Sequence, residues 1–261
     1  MNMENVLRRE EASNARLKCK KYLNVVEFKW TSPTHSQESE NIIFDMREPH
    51  PNLKRLKINN FGGEKFPNWL GSPSLVSIPM DCVSGTLKSL EVSDCKKLQL
   101  EESHCYPVLE ILILRSCDSL ISFQLVLFPK LKELCIEDCN NLQTILSTAN
   151  NLPFLQNLTL KNCSKLALFS EGELSKMTSL NSLHLKSLPT LTSLEGIGIE
   201  HLTSLKKLRI EDCGNLASLP IVDSLSHLTV RGCPLLKSHF EGGAGKYSKM
   251  VSSIPSTIIE A

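Results

Sequence analysis

The chain has 261 residues, 41% apolar but only 5% aromatic, and its 29 Lys and Arg against 28 Asp and Glu leave a formal net charge of +1. Near-neutrality removes any general electrostatic pull toward nucleic acid or an anionic membrane, and the scarcity of aromatics argues against base stacking and for an aliphatic core. No run approaches the ~18 apolar residues that a membrane span needs.

In chain order, the opening MNMENVLRREEASNARLK has no apolar core of the kind a secretory signal carries, which points to the reducing cytosol or nucleus. Three degenerate strand patterns follow within residues 17–86: Leu23, Val26 and Phe28; Leu53, Leu56 and Ile58; Leu75, Ile78 and Met80. Residues 31–48, rich in charge, Ser and Pro, read as a long loop on the convex side. Leu75 and Leu87 are only 12 residues apart, too few for a full coil, so either one of these strands is spurious or a segment is missing.

From residue 87 to 236 one unit repeats, L-x-x-L-x-(L/I/V)-x-x-C-x-x-L. It begins at Leu87, Leu109, Leu131, Leu155, Leu180, Leu205 and Leu225, at steps of 22, 22, 24, 25, 25 and 20 residues, with Leu188 in the Cys slot of the fifth unit. Such steps lie in the range of leucine-rich repeats. The alternation places apolar side chains inward and their neighbours outward on one short strand per unit. The predicted fold is therefore an α/β repeat, an irregular leucine-rich-repeat solenoid curved like a horseshoe. A short-stranded parallel sheet forms its concave face, with mostly loop and short helix on the convex side. A single unit cannot fold alone. Five buried aliphatics contribute roughly 1.5–3 kcal/mol each, against about 1–2 kcal/mol per residue of backbone ordering. Neighbouring coils must cover one another.

The solenoid is expected to span 1–236, with 237–261 as a C-terminal tail. The ten cysteines recur with the repeat and read as buried, reduced filler rather than disulfides. Cys135 is the exception at an outward position. Cys135 and Cys139 are four apart but point to opposite faces, so no zinc site is expected. GGAGKYS (242–248) fails as a phosphate loop: Phe240 stands where the first Gly belongs and Tyr247 where Ser or Thr belongs. His184 and His227 fall on outward positions, and no Ser-His-Asp or paired-carboxylate set stands out. Asn157 and Asn162 head glycosylation-type triplets that follow from repeat grammar and are expected to stay unmodified. No catalytic, cofactor or metal site is therefore predicted.

These residues carry a family likeness. The (D/N/S)-C-x-x-L after each strand, as in Asp94-Cys95, Asp138-Cys139, Asn162-Cys163 and Asp212-Cys213, resembles the C-terminal leucine-rich-repeat region of plant disease-resistance proteins. The likeness is to the coiled-coil class of nucleotide-binding leucine-rich-repeat receptors. ASNARLKCKKYLNVVEFKW (12–30), HPNLKRLKINNFGGEKFPNWLG (50–71), CPLLKSHF (233–240) and SSIPSTIIEA (252–261) resemble further segments of that region. The coiled-coil and nucleotide-binding domains are absent, as though the sequence starts inside the repeats.

The resemblance implies the recognition and autoinhibitory part of an intracellular immune receptor. Its partner would be a pathogen effector, a guarded host protein or a receptor's nucleotide-binding domain, bound by a monomer with no nucleic acid and no membrane insertion. The alternative is an extracellular leucine-rich-repeat receptor or inhibitor ectodomain. The missing signal, the missing Gly-x-Ile-Pro signature and the irregular spacing stand against it.

The candidate partner-binding residues are the outward charges of the concave face: Arg115, Glu133, Glu137, Lys161, His184, Lys186, Lys207, Arg209, Glu211 and Arg231. Acid gathers in the middle coil, at Glu133 and Glu137, and base toward the C-terminus. The sharper expectation is that the basic columns dock an acidic surface.

Overall fold

The computed structural model describes residues 15–30, 37–71, 85–100, 104–146, 152–167, 171–240 and 247–260. The chain divides into two compact units, residues 1–131 and 132–261. Both have the leucine-rich-repeat fold, one short strand per coil and parallel neighbours.

In the first unit, β1 (Val25–Lys29), β2 (Arg55–Asn59), β3 (Ser89–Ser93) and β4 (Ile111–Arg115) pair in that order without a slip in register. A short strand, β5 (Ser122–Gln124), and a 3-10 turn, Leu125–Leu127, follow β4. The rung next to β3 is Leu53-Leu56-Ile58, since β2 pairs directly with β3. The strand expected at Leu75, Ile78 and Met80 lies outside the described residues.

The second unit holds β6 (Glu133–Glu137), β7 (Thr144–Leu146), β8 (Asn157–Lys161), β9 (Ser182–Lys186), β10 (Lys207–Glu211) and β11 (His227–Arg231). Strands β6, β8, β9, β10 and β11 form its parallel ladder. All 35 apolar and Cys positions of the seven regular units, from Leu87 to Leu236, are buried. The strict inward-outward alternation along each strand is what puts them there.

The residue before the Cys slot has a structural task. Asn60, Asp94, Ser116, Asp138, Asn162, Ser187 and Asp212 all have positive φ, between 50° and 57°, and Gly232 does the same at 59°. The chain leaves each strand through one left-handed residue, a conformation that Asn, Asp and Gly tolerate best. Its N–H then reaches the last strand carbonyl of the next coil, as from Asp138 to Lys161 (3.0 Å), Asn162 to Lys186 (3.0 Å) and Asp212 to Arg231 (2.9 Å). The Cys that follows is more than the filler expected. Its thiol donates to the carbonyl two residues back, at 3.2 Å for Cys163 to Lys161 and Cys233 to Arg231 and 3.3 Å for Cys95 to Ser93. It thereby occupies a lone pair just where the ladder ends.

Three expectations change. Residues 37–45, expected as loop, form helix α1 (Gln37–Asp45). Glu40, Ile43 and Phe44 are buried on one face of α1, at i, i+3 and i+4, and Arg47 is buried in the turn that follows. Two of the four are charged, which hid the pattern from a count of apolar residues. Around α1 the core of the first unit is aromatic instead of aliphatic: the Phe44 ring lies 4.9–5.5 Å from Phe28, Trp30, Phe61 and Trp69. Finally, α2 (Pro234–Lys237) ends the last regular unit, and the segment 237–261, expected as a tail, carries α3 (Ser248–Ser253) and β12 (Ser256–Ile259). Strand β12 pairs parallel to β11. Tyr247 and Met250 are buried, and their Oη and Sδ accept the N–H groups of Leu219 (2.9 Å) and Val222 (3.5 Å). A terminal coil has no next coil to cover it, and this segment does that covering.

Candidate functional site

The residues the sequence selects all sit on outward strand positions, where alternation turns them from the core. In the first unit Arg115 ends β4, half-buried, and pairs with Glu91 on β3. Glu91 also takes Lys57 Nζ of β2 at 2.6 Å, so it is bracketed from both sides. The hydrogen bond from Lys57, with Arg115 adding to it, holds the Glu91 carboxyl below its ordinary value against the upward push of burial. Neither Glu91 nor Lys57 was among the selected residues. Their register positions, directly opposite on β2 and β3, were the available signal.

In the second unit Glu133 and Glu137 are half-buried on β6, and Glu137 stands opposite Lys161 of β8. The other selected residues gather farther along. Strand register aligns Lys161, Lys186, Glu211 and Arg231 in one column, and Thr159, His184, Arg209 and Thr229 in the next. Glu211 is the centre. Its side chain is only 9% exposed. Oε1 accepts from Arg209 Nε (2.8 Å) and Nη2 (2.5 Å), with Arg231 Nη1 at 4.0 Å. Oε2 faces His184 Nε2 (3.2 Å) and Lys186 Nζ (3.9 Å). Lys186 also reaches Asp212 (3.4 Å), and Arg231 Nε reaches Glu260 Oε2 beyond β12 (2.8 Å).

This arrangement corrects the picture of a freely solvated basic stripe. A carboxylate withdrawn from water must be surrounded by donors, and four of the expected basic-face residues supply them. Burial pushes the Glu211 carboxyl up, but hydrogen bonds from Arg209 and His184 outweigh it and hold it below its ordinary value. Burial also pushes His184 down, helped by the charges of Lys161 and Arg209, and its bond to Glu211 only partly offsets this. His184 is therefore neutral at pH 7, not a solvated histidine. Lys161 and Lys207 make no ion pair among the described residues. His227 is exposed, with Nδ1 2.8 Å from Ser226 Oγ.

Among the described residues no group of three His, Cys, Asp or Glu is placed to hold a metal ion. The nine described cysteines are free thiols. Cys135 is half-exposed on the outward face while Cys139 is buried. Burial drives the Cys95 and Cys163 thiols up to about 12. Of GGAGKYS, residues 242–246 lie outside the described residues, and Tyr247 is buried against the last coil. No described helix is long and apolar enough to cross a membrane.

Comparisons with known proteins agree with this architecture. Residues 1–117 match the family described as R13L1/DRL21 LRRs. Residues 123–243 match the leucine-rich repeats described as plant disease resistance protein RPS2-like. The chain is 38% identical over 105 residues to the disease resistance protein At3g14460 of Arabidopsis thaliana, covering 38% of this chain and 7% of that protein. It is 28% identical over 169 residues to the disease resistance protein RGA1 of Solanum bulbocastanum, covering 62% and 16%. The chain thus spans only a small part of these relatives. Among solved structures, the leucine-rich repeat domain of the type III effector XopL superposes with a TM-score of 0.51 at 17% identity, over 97% of this chain and 82% of that one. That likeness concerns the fold.

Proposed function

We propose that the chain, residues 1–117 and 123–243 of which match leucine-rich-repeat families, is the protein-recognition module of an intracellular plant disease-resistance receptor, acting in the cytoplasm or nucleus and catalysing nothing itself. The carrying observation is the division of labour on each strand: every inward side chain of the regular units is buried, leaving the outward ones to form one continuous set of columns in each unit. A fixed frame with a freely variable face suits recognition. The free thiol in nearly every coil supports a reducing compartment. The partner is a protein with an acidic surface: a pathogen effector, a guarded host protein or a receptor's nucleotide-binding domain.

The test uses Lys161 and Lys207, face cations that make no ion pair among the described residues. Reversing Lys186 and Arg209 would strip Glu211 of its donors and disturb the fold along with the charge. Lys161→Glu with Lys207→Glu avoids this. In co-precipitation with the nucleotide-binding domain of a receptor carrying these repeats, that pair abolishes capture. Lys165→Glu with Lys249→Glu, outside the strands, leaves it intact. Equal behaviour of the two pairs refutes the assignment.

A further inference from the structure

The cation cluster of the second unit is organised, not merely dense. On the outward positions of β8 to β11 stand five cations, Lys161, Lys186, Lys207, Arg209 and Arg231, of which Lys186, Arg209 and Arg231 lie within 4.0 Å of the Glu211 carboxylate. That carboxylate lies beneath these three, with the Arg209 side chain half-exposed above it. Glu211 thus fixes the approach of Arg209, Arg231 and Lys186, and together with Asp212 on Lys186 and Glu260 on Arg231 it offsets three of the five charges. The molecule also contains an example of what this face accepts. Glu260, carried in by the extended strand β12, lays both carboxylate oxygens on Arg231, Oε2 at 2.8 Å from Nε and Oε1 at 3.4 Å from Nη2. Nη2 donates the one hydrogen bond of this pair, and Nε lies against Oε2 as an ion pair without one; the guanidinium still takes a carboxylate against its edge.

We propose that Lys161, Lys186, Arg209 and Arg231, held in place by the positioning residue Glu211, form a docking site for an extended acidic peptide segment of a partner protein. This rests on the outward face being the binding face and adds the chemistry of the ligand. Four strands at about 4.8 Å spacing span roughly 14 Å, the length of an extended peptide of about five residues. Its carboxylates meet Lys161 and Lys186 at one end and the exposed side of Arg209 at the other, and take the place of Glu260 on Arg231.

The proposal opposes a simple charge argument in sign. Glu211→Gln raises the net positive charge of the face by one. A surface acting by charge alone then binds an acidic peptide more tightly. A site preorganised by Glu211 binds it more weakly, by about fivefold or more. Arg231→Lys keeps the charge and loses the planar guanidinium, and is expected to weaken binding by a similar factor.

The probe is a fluorescein-labelled hexaglutamate peptide, titrated by fluorescence anisotropy against the full chain. Hexaglutamine and a hexauridylate of similar charge are the comparators. Thermal melts certify that each variant is folded, and if Glu211→Gln is not, Arg231→Lys decides alone. Weaker binding in the folded variants, with hexaglutamate preferred over both comparators, carries the proposal. Unchanged or tighter binding in either folded variant, no binding by the wild type, or hexauridylate bound as well as hexaglutamate overturns it. The proposed recognition function fails separately, if reversal of Lys161 and Lys207 spares partner capture.

Discussion

The two units use one repeat grammar and close their coils differently. The first unit inserts α1 between β1 and β2 and fills the wider gap with rings, Phe44 meeting Phe28, Trp30, Phe61 and Trp69. The second keeps steps of 20–25 residues and closes on aliphatic rungs and thiols. Their outward faces differ in the same sense. Glu91 is 20% exposed between two cations, whereas Glu211 is 9% exposed among four basic side chains. Regular coils cover each other with aliphatic rungs, and the wider gap at α1 needs large side chains to reach the same density.

The largest contrast is in the cores. Phe44→Ala removes the ring on which the first unit's aromatic cluster converges and is expected to cost about 3–5 kcal/mol. Leu134→Ala, on a regular rung, should cost about 2–5 kcal/mol. Denaturant melts of the full chain measure both, and a cost below about 1 kcal/mol for Phe44→Ala would mean that α1 is not part of the core.

The carboxylate hubs come next. Glu211→Ala removes the carboxylate acceptor of half-buried His184 and of cations that are 38–50% exposed, and should cost about 2 kcal/mol. Glu91→Ala releases solvated partners and should cost about 1 kcal/mol or less. Equal losses would erase the distinction between the faces.

A smaller effect separates the units by pH. The fold lowers the pKa of His184, so its neutral form is favoured in the native state. The associated stability is complete above the unfolded value near 6.5 and is lost as pH falls toward the lower folded value. Lowered Glu211 and Glu91 add losses of the same sign at lower pH, beneath their ordinary value of 4.5. Melts between about pH 7 and 5 should show a decline in the wild type that His184→Gln flattens. An unchanged slope in that variant would remove His184 from the network.

The smallest difference lies within one strand and one turn. Cys135→Ala should cost under about 0.5 kcal/mol, although Leu134 beside it is a core rung. A thiol reagent on the native chain should modify Cys135 and spare Cys139, because only the former is open to solvent. Equal labelling would mean that the inward-outward register is displaced by one residue.

Much of this was open to reading from the residues. The period of the leucines determined the coil, and alternation within L-x-L determined which side chains face out, since a strand has only two faces. The selected charges therefore stand where expected, on the outward positions of β4, β6 and β8 to β11. The (D/N/S)-C pair was visible as a motif, and its cause is the left-handed exit from each strand. The sequence could not reveal that Ile43 and Phe44 share a helical face with the charged Glu40, nor that residues 247–259 cover the last coil.

Above all, it did not distinguish Glu211 from Glu133 or Glu137. All three are acids on outward positions, and only the lateral stacking of coils shows that Glu211 is withdrawn to 9% exposure among Arg209, His184, Lys186 and Arg231. Local periodicity acts along the chain and is written in it. The environment of a charge is set by residues 20–30 positions away on neighbouring coils, as with His184, Arg231 and Glu260 around the β10 strand. Only the tertiary structure brings those residues within reach, where desolvation makes their pairing decisive.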